Sequence, residues 1–213
     1  MSAIFDVFAG FDLAVFEWFE NVFNTGANTI LDTIMYAITT LGDGGIIWIV
    51  LAIVLCVFKR YRKYGLMMLG ALIFMLVVNN VILKNLFARP RPFVYFADNS
   101  SFNFPDIVSM DTLASTSNAT GYEYSFPSGH TTSSFAAIIP LYKADKKFGI
   151  PATVLAFLIA VSRIYVHVHY CTDILFGIVL GIIYGIIGCL IVGALLKLWN
   201  KKKPESYSKL FAD

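Results

Sequence analysis

The chain has 213 residues, of which 58% are hydrophobic and only 14% are charged. Soluble domains average about 25% charged residues, and a globule of this size could not hide so much apolar surface from water. The composition therefore excludes a soluble globular domain and a disordered chain, and it predicts an integral membrane protein. The modest net charge of +2 gives no reason to expect a nucleic-acid partner.

The N-terminal segment, residues 1–43, contains six acidic residues and no basic one. Residues 4–23 place aromatic and acidic side chains in an amphipathic helical pattern, whereas residues 26–41 are apolar but interrupted by Asn28 and Asp32. The segment is predicted to form either a helical hairpin at the outer membrane interface or a sixth span. The absence of a basic flank favours the interfacial alternative.

Five apolar stretches follow that are candidates for membrane-spanning helices, and the third of them, 129–142, is short and rich in Ser and Thr. They predict an all-α fold, a polytopic bundle of transmembrane helices with its core at 44–198. A polar loop at 93–125 interrupts the core, and a basic tail follows at 199–213. The predicted spans are residues 44–58, 64–87, 129–142, 148–168 and 172–198.

The last predicted span carries a glycine ridge, with Gly177, Gly181 and Gly185 at four-residue spacing. Small residues at this spacing let another helix approach closely. The partner helix is expected within the same chain, although a second subunit is the alternative, and the oligomeric state stays open.

Twelve of the sixteen lysines and arginines lie in three clusters, at 59–63, 143–147 and 197–209. These clusters fall at alternate span ends, so a single topology brings them all to one face. The positive-inside rule then predicts that this face and the C-terminus are cytoplasmic. The opposite span ends, together with the 93–125 loop, are expected on the outer side.

The four remaining cations, and the only three histidines, all lie at the predicted outer ends of the spans. Ionisable residues inside a membrane are costly and default to a functional role, although long basic side chains can also snorkel to the headgroups. The convergence of seven such residues favours a functional site. The residues are Lys84, Arg89, Arg91, Arg163, His130, His167 and His169.

The outer-face residues suit phosphoryl transfer. Ser128, Gly129 and His130 precede or begin a helix, whose N-terminal amide groups attract anions. His169 lies four residues before Asp173, a spacing at which the carboxylate can orient the imidazole. A histidine held in this way is a competent nucleophile, and basic side chains stabilise the phosphoryl oxygens. No paired carboxylates or Cys/His metal spacing appear, so a phosphatase without metal or cofactor is predicted.

The same residues resemble the three motifs of the type 2 phosphatidic acid phosphatase family, the membrane relatives of vanadium haloperoxidases and some bacterial acid phosphatases. The first motif, a lysine followed by six residues and Arg-Pro, matches Lys84 to Pro92. The second, Pro-Ser-Gly-His, matches 127–130, and the third, Ser-Arg with a later histidine and aspartate, matches 162–173. All three motifs occur in order, and they fall on one predicted membrane face.

The resemblance implies a role for each motif residue. His169 is expected to be the nucleophile that forms a phosphohistidine, Asp173 to orient it, and His130 to act as general acid. The resemblance assigns phosphate binding to Lys84, Arg91, Ser128, Gly129 and Arg163.

Three residues near the motifs do not belong to them. Arg89 is interpreted as a secondary headgroup contact or a snorkelling base. His167 and Cys171 stand where family members often have a small residue and a proline. His167 is expected to have a supporting or headgroup role, and Cys171 to be a packed thiol.

The small bacterial members of this family indicate a lipid phosphatase of the plasma membrane that converts undecaprenyl diphosphate to undecaprenyl phosphate. Phosphatidylglycerophosphate and phosphatidic acid are alternative substrates, because the motif residues contact only the phosphate. A non-catalytic membrane scaffold or transporter of the same fold is an alternative of another class, but it predicts decay of the motifs. Vanadate-dependent halide oxidation is disfavoured by a lipid-embedded site. The partners expected are thus a lipid phosphate substrate and membrane lipids.

Overall fold

The computed structural model describes residues 3–25, 28–93 and 124–211, and the regular structure within these ranges is helical. A short 3-10 turn, Asp43–Gly45, precedes α4, and α5 contains a π-helical stretch, Leu76–Leu83. Most of the predicted 93–125 loop lies outside the described residues. In chain order the helices are α1 (Ala3–Asp6), α2 (Ala9–Phe23), α3 (Thr29–Leu41), α4 (Ile46–Val57), α5 (Arg62–Phe87), α6 (Gly129–Ala144), α7 (Lys146–Tyr165), α8 (Cys171–Lys202) and α9 (Pro204–Phe211).

Among the described residues, three helices are long and apolar enough to cross a membrane: α5, α7 and α8. A fourth span results if α3 and the segment Asp43–Val57, which are bent by 41° at their junction, count as one. The predicted count of five spans is not confirmed, because α4 and α6 have 12 and 16 residues, fewer than the roughly 20 that a span needs. α6 is nevertheless central, since residues 131–138 are all buried against the surrounding helices.

The glycine ridge of α8 packs against α6, which confirms the expected partner within the chain. A Cβ atom on Gly181 would lie 2.7 Å from the carbonyl oxygen of Thr132, and one on Gly185 would lie 2.7 Å from that of Ala136. Real Cβ atoms do not approach so closely, so glycine is required for this helix–helix distance. The ridge thereby fixes the start of α6 beside the start of α8.

The helix termini form two chemically different ends of the bundle. At one, the basic end, Arg62 donates a hydrogen bond of 2.7 Å to the carbonyl oxygen of Leu210, and the rings of Tyr61 and Phe148 pack 5.3 Å apart. The predicted basic tail is thus largely helical, as the end of α8 and α9. The opposite end, the histidine end, consists of the C-termini of α5 and α7 and the N-termini of α6 and α8.

The two longer helices of the N-terminal segment, α2 and α3, differ in how they join this bundle. α2 is not among the span candidates and lies across the histidine end. Its Asp12 accepts a hydrogen bond of 2.9 Å from the backbone N–H of Thr172, and the ring of Phe19 lies 6.5 Å from that of Tyr165. α3 instead belongs to the bent pair that can form a span. The two longer helices of the segment 1–43 therefore pack in different ways.

Candidate active site

A cavity of about 480 Å³ opens at the histidine end, and six of the eight predicted site residues line it. The motifs that supply them lie up to 85 residues apart, between the end of α5 and the start of α8. The two remaining predicted residues, Ser128 and Asp173, are fully buried behind the cavity wall. The lining site residues are Lys84, Arg91, Gly129, His130, Arg163 and His169.

His169 lies on the short connection between α7 and α8 and is only 1% exposed. Its Nδ1 is 3.4 Å from Oδ2 of Asp173, an oxygen that also accepts a hydrogen bond of 3.0 Å from the backbone N–H of Tyr170. With Nδ1 as the proton donor to the carboxylate, Nε2 carries the lone pair. Burial, reinforced by Arg91 and Arg163, lowers the pKa of His169 well below the 6.5 usual for histidine, which keeps the ring neutral.

His130 lies in the first turn of α6, on the opposite side of the cavity. Ser128 caps this helix, because its Oγ accepts a hydrogen bond of 3.4 Å from the backbone N–H of Thr131. Nε2 of His130 is 2.8 Å from Oδ1 of Asp43, in the turn between α3 and α4. A Cβ atom on Gly42 would lie 2.6 Å from the imidazole, so glycine makes room for this ring.

Asp43 is a cavity residue that the sequence analysis missed. It lies 87 residues from His130 and belongs to none of the motifs. The available signal was weak: a single acid in a glycine-rich turn, at the end of a segment that contains five other acids.

The cationic side chains of the cavity are held by contacts with neighbouring segments. Nη1 of Arg163 donates a hydrogen bond of 2.6 Å to Oγ1 of Thr39 on α3, and Nη1 of Arg91 donates one of 3.1 Å to the carbonyl oxygen of Val168. Lys84 lies where the π-helical stretch of α5 ends. Three positive charges, two of them on arginines held by these hydrogen bonds, surround a neutral histidine and form a site for a tetrahedral oxyanion.

Asn79, on the π-helical stretch of α5, positions the segment that precedes α6. This fully buried amide donates a hydrogen bond of 3.4 Å to the carbonyl oxygen of Pro127 and accepts one of 3.3 Å from Oγ1 of Thr132. The backbone N–H of Ser125 donates to the carbonyl oxygen of Arg89 at 2.8 Å. These bonds join the segment of the first motif to the segment that carries the second, and Asn79 itself belongs to none of the motifs.

The prediction that Arg89 contacts headgroups or snorkels is wrong. The side chain is 2% exposed, its Nη1 lies 2.6 Å from Oδ1 of Asp173, and its Nη2 lies 2.8 Å from Oδ2 of Asp12. Two carboxylates compensate the guanidinium charge and make its burial possible. The sequence alone could not reveal this, because Asp12 lies 77 residues away on a different helix.

His167 and Cys171 do not line the cavity. His167 has a backbone φ of +55°, a conformation that favours glycine and explains the small residue that family members often have here. Its ring lies 5.2 Å from that of Phe16, its Nε2 lies 3.5 Å from Oε1 of Glu20, and burial lowers its pKa to about 4. Cys171 is a half-buried free thiol packed against the core, as predicted.

Within the described ranges, no group of three or more His, Cys, Asp or Glu side chains could hold a metal ion. Metal-independent chemistry stays a prediction. Of the predicted 93–125 loop, Phe93 lines the cavity, and residues 94–123 lie outside the described residues.

The sequence of this chain is similar to those of known proteins. Residues 60–197 match the family model described as the PAP2 superfamily. The chain is 34% identical over 158 residues to the undecaprenyl-diphosphatase BcrC of Bacillus subtilis, which covers 74% of this chain and 73% of that protein. It is 31% identical over 136 residues to an undecaprenyl-diphosphatase of Sulfolobus acidocaldarius, which covers 63% of this chain and 58% of that protein.

The fold also resembles that of a solved structure. The crystal structure of Aquifex aeolicus LpxE superposes with a TM-score of 0.65 at 26% identity. The superposition covers 83% of this chain and 93% of that one, so the similarity extends well beyond the three motifs.

Proposed function

Since this chain belongs to the PAP2 superfamily and is a membrane lipid phosphatase, we propose that it hydrolyses undecaprenyl diphosphate to undecaprenyl phosphate and inorganic phosphate. The observation that carries the proposal is the composition of the cavity. Its cationic floor continues into an apolar wall, which is the combination that a phosphate attached to a long hydrocarbon requires.

The apolar wall is formed by α4 and α5. It includes Ile49, Leu69 and Leu72, and it continues to Ile73 and Leu76, which are 62% and 54% exposed on the outside of the bundle. A hydrocarbon chain could therefore run from the cavity to the lipid-facing surface without crossing charged groups. The water-filled pocket of a phosphatase for soluble esters would not need such a wall.

The first chemical step uses the histidine that Asp173 orients. Nε2 of His169 attacks the terminal phosphorus, a P–N bond forms, and the bond to the bridging oxygen breaks. Burial lowers the pKa of His130 to about 4, so its proton is stabilised only by Asp43 and by the negative charge of the bound phosphate. In that state His130 donates its proton to the leaving oxygen, and the cations Lys84, Arg91 and Arg163 stabilise the equatorial oxygens. The products of this step are the lipid monophosphate and a phosphohistidine.

The second step returns the enzyme to its starting state. Neutral His130 removes a proton from water, the oxygen attacks the phosphorus, and the P–N bond breaks to release inorganic phosphate. Gly129 lines the same cavity at the start of the helix that Ser128 caps, and we expect its backbone N–H to donate a further hydrogen bond to a phosphate oxygen. Because no step uses a metal, EDTA is expected to leave turnover unchanged; loss on chelation that Mg²⁺ restores would contradict this mechanism.

The choice of lipid is supported by the two relatives that are named undecaprenyl-diphosphatase. The test is phosphate release by purified protein in one detergent from undecaprenyl diphosphate, phosphatidylglycerophosphate and phosphatidic acid, with the His169→Ala variant as control. We expect the highest kcat/KM for undecaprenyl diphosphate. A higher kcat/KM for either glycerolipid would reject undecaprenyl diphosphate as the substrate but keep the assignment as a lipid phosphatase. No phosphate release from any of the three lipids would reject the proposed function.

We also propose that the cavity faces the outer side of a bacterial plasma membrane, with the C-terminus in the cytoplasm. The basic clusters that gather at the opposite end of the bundle support this orientation. The test is labelling of a single cysteine placed in the 93–125 loop, in a variant that lacks the three native cysteines. An impermeant reagent added to intact cells should label it; labelling only after lysis would reverse the topology.

A further inference from the structure

A fully buried carboxylate links the N-terminal helix α2 to the start of α8. Oδ1 of Asp12 accepts a hydrogen bond of 2.9 Å from the backbone N–H of Thr172, and Oδ2 accepts one of 2.7 Å from its hydroxyl. The relative exposure of Asp12 is 0%. Burying a carboxylate without a charged partner is costly. The charged partner of Asp12 is Arg89, which comes from a third segment of the chain.

Arg89 connects this carboxylate to the one that contacts His169. Its Nη2 lies 2.8 Å from Asp12, and its Nη1 lies 2.6 Å from Oδ1 of Asp173 and 2.8 Å from the hydroxyl of Thr172. The guanidinium is also 3.7 Å from the ring centroid of Tyr170. With contacts on its edges and on its face, the arginine has little freedom to move.

This arrangement determines which oxygen of Asp173 serves the histidine. Arg89 binds Oδ1, so Oδ2 is left to the backbone N–H of Tyr170 and to Nδ1 of His169. Two carboxylates and one guanidinium give the cluster a formal charge of −1. The imidazole gains positive charge when its Nε2 bonds to phosphorus, and a fixed neighbouring negative charge stabilises that change.

We propose that Asp12 and Arg89 are positioning residues for the reaction at His169, and that α2 is therefore part of the catalytic unit. Neither residue lines the cavity, and both act through Asp173. The proposal rests on the proposed function, in which His169 is the nucleophile.

The test compares Asp12→Asn with Glu17→Gln, a matched change from carboxylate to amide at an exposed position of the same helix. We expect Asp12→Asn to lower kcat about 10- to 100-fold and to change KM less than about threefold, because the group acts on the ring and does not contact the lipid. Glu17→Gln should retain wild-type values. An unchanged kcat in Asp12→Asn would overturn the proposal.

A double-mutant cycle separates positioning from a general structural role. In an Asp173→Asn background, Asp12→Asn should cost less than about twofold in kcat, because the residue through which it acts is already altered. A loss as large as in the wild-type background would overturn the proposal. If Asp12→Asn does not fold, the double variant Asp12→Asn/Arg89→Gln replaces it in the test, because this variant leaves no buried arginine without a full set of partners. The expected loss of kcat is the same.

A substrate-free measurement distinguishes failure of this proposal from failure of the proposed function. Orthovanadate mimics the five-coordinate phosphorus, so it should raise the unfolding temperature of the wild type but not of His169→Ala. If no lipid phosphate is hydrolysed but Asp12→Asn weakens this stabilisation, the proposed function fails and the positioning role stands. Equal stabilisation of wild type and Asp12→Asn would overturn the positioning role.

Discussion

Two histidine–carboxylate pairs face the same cavity from opposite sides, and they differ in burial. The side chains of His169 and Asp173 are 2% and 0% exposed, whereas those of His130 and Asp43 are 18% and 47% exposed. The first pair is enclosed by α2, α8 and the Arg89 segment. The second lies at the start of α6, beside an accessible turn.

The difference matches what the two proposed roles require. A nucleophile must keep one tautomer and one orientation, which dense packing and fixed partners provide. A general acid must recover a proton in every cycle, which is easier where its partner carboxylate contacts water. The His169–Asp173 pair, for which geometry matters most, is therefore buried and tightly held. The His130–Asp43 pair, which must exchange protons, is more accessible to water.

Removal of the buried imidazole should have the largest effect. His169→Ala is expected to lower kcat at least about 10⁴-fold on every phosphate substrate, since no other group can form the covalent intermediate. Phosphate release from undecaprenyl diphosphate and from p-nitrophenyl phosphate measures this. Residual activity above a tenth of the wild-type value would assign the nucleophile elsewhere.

Removal of the His130 imidazole, which is only partly exposed, should have a smaller effect that depends on the leaving group. His130→Gln is expected to lower kcat about 10²- to 10⁴-fold on the lipid, and less on p-nitrophenyl phosphate, whose leaving oxygen needs little protonation. For each variant, the loss of kcat on the lipid is divided by the loss on p-nitrophenyl phosphate. Comparing this ratio between His130→Gln and His169→Ala measures how the roles of the two histidines differ. Equal losses on both substrates would contradict the role of general acid.

The carboxylate of the exposed pair should matter less again. Asp43→Asn is expected to lower kcat by up to about fivefold, because a half-exposed ion pair contributes no more than about 1 kcal/mol. Asp6→Asn, at an exposed position of the N-terminal segment, is the control. A loss above about 100-fold would mean that Asp43 is as important as the buried carboxylate and would remove the distinction.

The smallest effect concerns acid pH. Because burial lowers the pKa of His169, the imidazole stays neutral as the pH falls through 6.5, and protonation removes the nucleophile only at a clearly lower pH. The NMR signal of its ring, identified by its absence in His169→Ala, should hardly shift between about pH 8 and pH 6. A titration with its midpoint near 6.5 would show a solvated ring.

The motif residues could be predicted because their signals are local. Lys84 with Arg91, and His169 with Asp173, lie within eight residues of each other, so spacing alone brings each pair together. The membrane environment was equally accessible, because composition reports it directly. The count of five spans is not confirmed, because α4 and α6 have the apolar character of spans but not the length. The packing that buries α6 cannot be read from its own sequence.

By itself the sequence determined a helical membrane protein, the glycine ridge and a set of phosphate-binding and catalytic candidates, because these depend on composition and short-range spacing. Only the tertiary structure decided which carboxylates contact which arginine and histidine side chains. Asp12 meets Arg89 across 77 residues, and Asp43 meets His130 across 87. Such pairings depend on how helices cross, and among the fourteen acids of the chain no local pattern distinguishes these two.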